Sequence, residues 1–268
     1  MVRDELRRAA AALARAGCDT PRLDAELLLA EALGVTREAL VVGGRDLLED
    51  GARQRFEALL ARRRRREPVA YILARRDFRR LTLAVDGRVL IPRPESELLV
   101  EVGLELPEGA RVADVGTGSG AVALALKDER PDLEVTGLDV SSEALEVARN
   151  NGQRLGLEVR WVAADLLDDG QYDAVVANLP YVSSDERLAP EIVDYEPAGA
   201  VFAGSGGLEL LRRLVTQVGE RSSISLLALE VGAGQAGEVT GLVSEAGFGA
   251  VTRRRDLAGI ERVVVGRR

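Results

Sequence analysis

Histidine is absent from the 268 residues, and cysteine, lysine, tryptophan and methionine each occur once. With no imidazole there can be no His-based metal site, no histidine-containing catalytic triad and no histidine general base. A lone thiol, Cys18, cannot close an internal disulfide. Long apolar runs are missing too: none approaches the ~18 residues of a membrane span. The first residues include Arg3 and Asp4, which do not fit a secretory signal. The expectation is a soluble, cytoplasmic protein with no metal and no membrane partner.

What is present suits one large or two modest domains, since 46% of the residues are hydrophobic, enough for a real core. The formal net charge of -8 hides an uneven distribution. Residues 1–90 carry 19 Arg against 14 acids, whereas residues 91–268 carry 17 basic residues against 30 acids. A basic front segment suggests an acidic partner, although the run Arg62, Arg63, Arg64, Arg65, Arg66 also reads as the solvated face of a helix. The use of Arg in place of Lys everywhere but Lys127 has no functional reading.

Helical periodicity dominates the front of the chain. Leu6, Ala9, Ala10, Leu13 and Ala16 repeat at helical spacing and stop at Gly17. Thr20-Pro21 then predicts an N-cap with proline at the first helical position, opening a helix that ends at Gly34. A short helix at 36–40, a longer one at about 50–66 and a last turn through 73 follow. Residues 1–75 thus read as a helical bundle with no catalytic constellation, suited to substrate recognition. Residues 76–92 (Phe78, Leu81, Leu83, Val85, Val89) alternate around Asp86-Gly87 and predict a β-hairpin linker turning there. Pro92 and Pro94 hold Arg93 extended on entry to the next helix.

Residues 93–268 read as an α/β domain. A strand from Arg111 breaks at Asp114 into the loop Gly116, Thr117, Gly118, Ser119, Gly120 and then a helix. Glycines let the backbone pass close under a ligand, and the helix start offers free N–H groups. Asp139 closes the next strand, where a carboxylate accepts two hydrogen bonds from a ribose diol. The pattern G-x-G-x-x-A from Gly116 also fits a nicotinamide cofactor. Asp114, just ahead of the loop, would repel a pyrophosphate but could receive an ammonium, which favours S-adenosylmethionine. Asp165 and Leu166, near the end of the following strand, together with Asn178, complete the candidate cofactor set. Further strands at 172–177, 224–231, 249–254 and 261–265, alternating with helices, predict a doubly wound sheet whose last strand inserts antiparallel, seven strands in all.

The chemistry is expected where residues 173–177, Asp-Ala-Val-Val-Ala, run into Asn178, Leu179, Pro180 and Tyr181. A buried strand ending in a restricted polar tip faces a site in an open α/β sheet. The Asn178 carboxamide oxygen and the Leu179 carbonyl are two acceptors, and Tyr181 is a flat wall, together able to hold an NH2 group.

These residues resemble the peptide-chain release factor glutamine methyltransferases, the HemK/PrmC group. The similarity is carried by residues 23–29, 68–73, 91–97 (Ile-Pro-Arg-Pro-Glu-Ser-Glu), 114–120, 178–181, Tyr195-Glu196-Pro197 and 256–259. The resemblance implies a helical N-terminal domain, a hairpin linker and a Rossmann-like domain binding S-adenosylmethionine. It also implies a substrate, the glutamine of the Gly-Gly-Gln motif in bacterial class I release factors of translation termination. Asn178, Leu179, Pro180, Tyr181 and Arg93 are the corresponding catalytic and substrate-binding positions. Two residues depart from the family: Leu179 stands where it has proline, and Ala74 where it usually has glycine.

Asn-Leu-Pro-Tyr is also the pattern of ribosomal RNA adenine dimethyltransferases, so an N6-adenine acceptor is the second reading. A non-catalytic S-adenosylmethionine-binding module is the third. The helical domain and the Pro-Arg-Pro-Glu segment resemble only the glutamine enzymes, and on that reading nucleic acid is not a partner.

Overall fold

A computed structural model describes residues 2–43, 49–204 and 206–268. The chain divides into two units, one made of Met1–Arg75 together with Ala189–Tyr195, the other of Arg76–Leu188 and Glu196–Arg268.

In the first unit the apolar spacing gives α1 (Val2–Arg15), α2 (Pro21–Leu33), α3 (Arg37–Gly43), α4 (Asp50–Arg64) and the single turn α5 (Val69–Ile72). Their inward faces, with Leu13, Leu28, Leu29, Phe56 and Leu60 almost wholly buried, form one core. Gly17 and Gly34 sit at φ 79° and 67° and end α1 and α2, the left-handed position where glycine avoids a steric penalty. Thr20 stands at the N-cap of α2, but its hydroxyl makes no capping bond and donates to Asp24 at 2.7 Å. Asp24 in turn accepts from the Arg63 Nε at 2.7 Å.

Arg63 is buried, and its second partner comes from far along the chain: Glu191 Oε1 at 2.9 Å. Arg66 grips the same carboxylate through Nε at 2.6 Å and Nη2 at 2.5 Å. Burial would raise the pKa of Glu191, yet the hydrogen bonds from Arg66 and Arg63 bring it below the ordinary carboxylate value. The Tyr195 hydroxyl adds a 2.7 Å bond to the Arg65 carbonyl. Ala189–Tyr195, which sequence periodicity alone leaves in the α/β half, is thereby part of the helical unit.

The second unit opens with a two-stranded hairpin, β1 (Arg75–Phe78) and β2 (Leu81–Ala84). Its turn lies at Arg79-Arg80, which corrects the expectation of a turn at Asp86-Gly87. Phe78, Leu81 and Leu83 all face the core, and that inward anchoring sets the register. Asp86 instead caps a separate tight turn, its carboxylate accepting from the Arg88 amide at 3.0 Å. As the two prolines require, Arg93 is extended (φ -93°, ψ 144°) ahead of α6 (Glu97–Leu104).

The sheet follows: β3 (Arg111–Val115), β4 (Glu134–Asp139), β5 (Arg160–Ala163), β6 (Ala174–Ala177), β7 (Leu226–Glu230), β8 (Ala250–Arg255) and β9 (Glu261–Arg267), in spatial order β5-β4-β3-β6-β7-β9-β8. The first five are parallel, and β9 runs antiparallel between β7 and β8, as the sequence predicts. Helices α7 (Ala121–Glu129) and α8 (Ser142–Leu155) are the first two crossovers, and the helices Glu209–Gly219 and Ala236–Glu245 serve the later strands. Alternate residues enter opposite layers: Val112, Ala174 and Val176 on one face, Ala113, Val115, Val175 and Ala177 on the other. Chain order reverses between β3 and β6, so the ligand crevice belongs at their carboxyl ends. No helix among the described residues is long and apolar enough to cross a membrane.

Two stability predictions follow from the helical unit. Ala74 adopts φ 54°, which costs an L-residue about 1–2 kcal/mol. Ala74→Gly should therefore raise stability by about 1 kcal/mol, net of the added chain entropy, as a shift in denaturant midpoint. Glu191→Ala leaves buried Arg63 and half-buried Arg66 without their shared carboxylate and should cost about 3 kcal/mol or more in the same measurement.

Candidate active site

At Val115 the chain leaves β3 and must turn over the end of β4 before starting α7. It does so through Gly116, Gly118 and Gly120 at φ 73°, 55° and 81°. The amides of Gly116 and Thr117 both donate to the Leu138 carbonyl, at 2.8 and 2.9 Å. Asp139 holds the loop from the other side, Oδ2 accepting from the Gly118 amide and Oδ1 from the Ser141 amide, each at 2.9 Å. Burial raises the Asp139 pKa against these backbone donors. Behind the loop, the lone tryptophan, Trp161, fills the space that side chains on Gly120 and Gly137 would need, 2.8 and 2.4 Å from their added β-carbons. Buried Asn151 pins the loop to the hairpin, its Nδ2 donating to the carbonyls of Ser119 and Ala84, both at 3.0 Å.

A cavity of about 290 Å³ opens beyond these strand ends. Gly116, Gly118, Asp139, Asp165, Leu166, Asn178, Leu179 and Pro180 line it, so the predicted cofactor loop, ribose acid and acceptor tip come together. Leu166 holds φ 73°, a strained value for a branched side chain on a ligand wall. A smaller adjoining recess, sharing Gly116, Gly118 and Asn178 with the first, is lined by Asp114, Thr117, Ser119, Arg93 and Ser96. Gly120 and Tyr181 line neither. The first packs on Trp161, and the second turns its hydroxyl to Glu230 Oε1 at 3.3 Å. Arg93 is engaged by Glu196, whose carboxylate takes Arg93 Nη2 at 2.6 Å and the Ile91 amide at 3.1 Å.

Asp114 is buried and accepts from the Thr117 hydroxyl at 2.6 Å and the Ala123 amide at 3.1 Å, both on Oδ2. Burial pushes its pKa up to about 6, against those two bonds. Leu179 is buried as well, with Cδ2 only 2.9 Å from where a β-carbon on Gly116 would stand. Its side chain therefore packs on the cofactor loop, a role beyond the carbonyl that the sequence suggested.

Three polar residues at the site escaped the sequence reading. Ser96 accepts from Asn178 Nδ2 at 2.9 Å and donates to Glu230 Oε2 at 2.6 Å. Glu230 is fully buried, and burial pushes its pKa up to about 7. Gln235 donates to the Tyr181 carbonyl at 2.9 Å and accepts from the Gly232 amide at 2.8 Å. One signal was available: Glu230 is an acid at the carboxyl end of its strand, as Asp139 is.

These residues fit S-adenosylmethionine. The backbone turn is open at Gly118, where an added β-carbon would meet nothing within 4 Å. A carboxylate stands at the end of β4, and apolar walls come from Leu166 and Leu179. Fold and site together define a Rossmann-like S-adenosylmethionine-dependent methyltransferase. Comparison with known proteins narrows the class. Residues 4–73 match the PrmC N-terminal domain family and residues 94–210 the methyltransferase small domain family. A release factor glutamine methyltransferase of Neisseria gonorrhoeae is 41% identical over 92% of this chain and 93% of its own length. One of Mycolicibacterium smegmatis is 38% identical over 100% and 98%. Among solved structures, the hMettl16 catalytic domain superposes with TM-score 0.58 at 18% identity, covering 78% of this chain and 81% of its own, a likeness of fold. The chain belongs to the release factor glutamine methyltransferase family.

The raised pKa of Asp114 gives a stability prediction with a definite sign. Between the ordinary value of 3.8 and about 6 the folded protein holds a proton that the unfolded chain has released. The contribution of this group to stability therefore falls as pH rises through that window. Asp114→Asn removes the effect, so variant stability relative to wild type should improve from pH 4 to pH 6.5, by on the order of 3 kcal/mol, in denaturant titrations of the ligand-free protein.

Proposed function

We propose that the enzyme transfers the methyl group of S-adenosylmethionine to the side-chain amide nitrogen of the glutamine in the Gly-Gly-Gln motif of bacterial class I release factors, in the cytoplasm. The observation that carries this reading is the meeting of Asn178 and Leu179 with Gly116, Gly118 and Asp139 around one cavity. In this assignment Asp139 accepts from the ribose diol of the cofactor, and Asp165 and Leu166 border its base. Residues 116–120 offer backbone to its methionine part, and Asp114 supplies the negative field for its ammonium. Bound S-adenosylmethionine contributes an electrophilic methyl on a sulfonium.

The acceptor is a weak nucleophile because its nitrogen lone pair is delocalised into the carbonyl. The Asn178 Oδ1 and the Leu179 carbonyl accept its two N–H groups, fix its approach and favour the positive charge that grows on nitrogen. Tyr181 is held back by Glu230 and Gln235 and shapes the tip from behind. Orientation alone can supply roughly 7–11 kcal/mol, and the proton leaves nitrogen after transfer, so no histidine base is needed. Arg93, paired with Glu196, shapes the substrate side of the recess. We assign recognition of the release factor to the helical unit, where Arg15, Arg64 and Arg65 line a shallow groove suited to an acidic protein surface.

Incubation with methyl-labelled S-adenosylmethionine, offering a release factor and ribosomal RNA in parallel, tests the proposal. Label should appear on the glutamine of the release factor. Asn178→Ala should reduce it by about 100-fold or more while leaving cofactor affinity, read by calorimetry, within a few-fold. Label on RNA adenine alone would replace the glutamine reading with the adenine one.

A further inference from the structure

A carboxamide can face an acceptor site with its oxygen or with its NH2 group, and only the oxygen can hold an N–H donor. Nothing in Asn178 itself decides between the two ends, which differ little in size. The decision lies in the line of hydrogen bonds behind it, from Asn178 Nδ2 to Ser96 Oγ at 2.9 Å and from Ser96 Oγ to Glu230 Oε2 at 2.6 Å. Ser96 has one hydroxyl proton. When it is given to the Glu230 carboxylate, the Ser96 oxygen can only accept from its other neighbour, so Asn178 must present Nδ2 to it and leave Oδ1 for the cavity.

We propose that Glu230, acting through Ser96, is the positioning residue that fixes which end of the Asn178 carboxamide meets the substrate. This rests on the glutamine assignment above and deepens it. Ser96 begins α6 from the segment after the hairpin, and Glu230 ends β7, so two separate parts of the second unit orient a group at the end of β6. Three features suit Glu230 to the part. It is fully buried, so water does not compete for its oxygens. Its other oxygen, Oε1, takes the Tyr181 hydroxyl at 3.3 Å, which keeps the carboxylate plane fixed. The charged groups that act on it are Glu95, beside Ser96, and Arg262 on β9, the latter tied to Asp256 at 3.0 Å.

The arrangement makes orientation depend on ionisation. Ionised Glu230 only accepts. Protonated Glu230 can donate to Ser96, whose own proton then turns to Asn178 and calls for Oδ1 on that side, so the carboxamide rotates and offers NH2 to a substrate that also brings NH2. Burial holds the pKa of Glu230 at about 7, with Ser96 and Arg262 opposing and Glu95 adding to the rise. Methyl transfer should accordingly fall as pH drops below about 7.

The test uses the full chain with a release factor as acceptor and S-adenosylmethionine affinity as a check on folding. Ser96→Ala should lower kcat at least tenfold with cofactor affinity changed less than threefold. Ser96→Thr, which restores a hydroxyl, should recover most of that loss. Glu230→Gln keeps an oxygen for Ser96 but cannot titrate, so it should flatten the acid limb of the kcat profile between pH 6 and 8. Failure of wild type to label any release factor would overturn the glutamine assignment itself. With wild type active, a Ser96→Ala enzyme of normal kcat, or a Glu230→Gln enzyme keeping the wild-type acid limb, would overturn the positioning role alone.

Discussion

The contact between Leu179 and the bare α-carbon of Gly116 is the constraint around which the catalytic unit is arranged. The ends of β3 and β6, adjacent in the sheet, must lie close enough for a cofactor bound over one to reach an acceptor held by the other. A side chain on Gly116 would stand 2.9 Å from Leu179 Cδ2 and push that methyl aside, and the φ of 73° calls for glycine in its own right. Thinness of the backbone at one strand end allows bulk at the next. The same solution recurs one layer back, where Trp161 occupies the room left by Gly120 and Gly137. The cofactor turn lies between a leucine in front and an indole behind.

Charge completes what packing begins, and arginine suits this because its planar fork can satisfy two partners at once. Arg63 spans Asp24 and Glu191, and Arg79 holds Glu129 with two nitrogens. Such pairs fix geometry more than they add net stability, since burying both ions offsets much of their attraction. Glu196 belongs to the same group: it is nearly inaccessible, and through Arg93 and the Ile91 amide it holds the segment between hairpin and α6 in its extended form.

Much of this architecture was legible because it is local. Helical spacing, Gly17, Gly34 and Pro21 marked α1 and α2, and the strand-turn-helix around Asp114 and the acid Asp139 pointed to a cofactor crevice. Asn178 stood out as a polar residue ending an apolar strand. What could not be read lies far apart in sequence. Ser96 and Glu230 are 134 positions apart, and Asn178 is 82 from Ser96. No periodicity links such residues, and Ser96 by itself reads as a helix start. The turn at Arg79-Arg80 was missed for another reason. Asp86-Gly87 has the better turn chemistry, but burial of Phe78, Leu81 and Leu83 outweighs it, an instance of tertiary packing overriding local preference.

The contribution of Ala189–Tyr195 to the helical unit bears on how the protein is born. Synthesis proceeds from the N-terminus, and domains generally begin to fold as they emerge from the ribosome. The first 75 residues can gather their apolar faces at once, with Asp24 beside Arg63. Glu191, the carboxylate shared by Arg63 and Arg66, is translated more than a hundred residues later. Until then the bundle holds guanidinium groups that lack their partner. Its last ion pairs close only after β3, β4, β5 and β6 have been made, so the unit that starts first is completed after most of the parallel sheet has emerged.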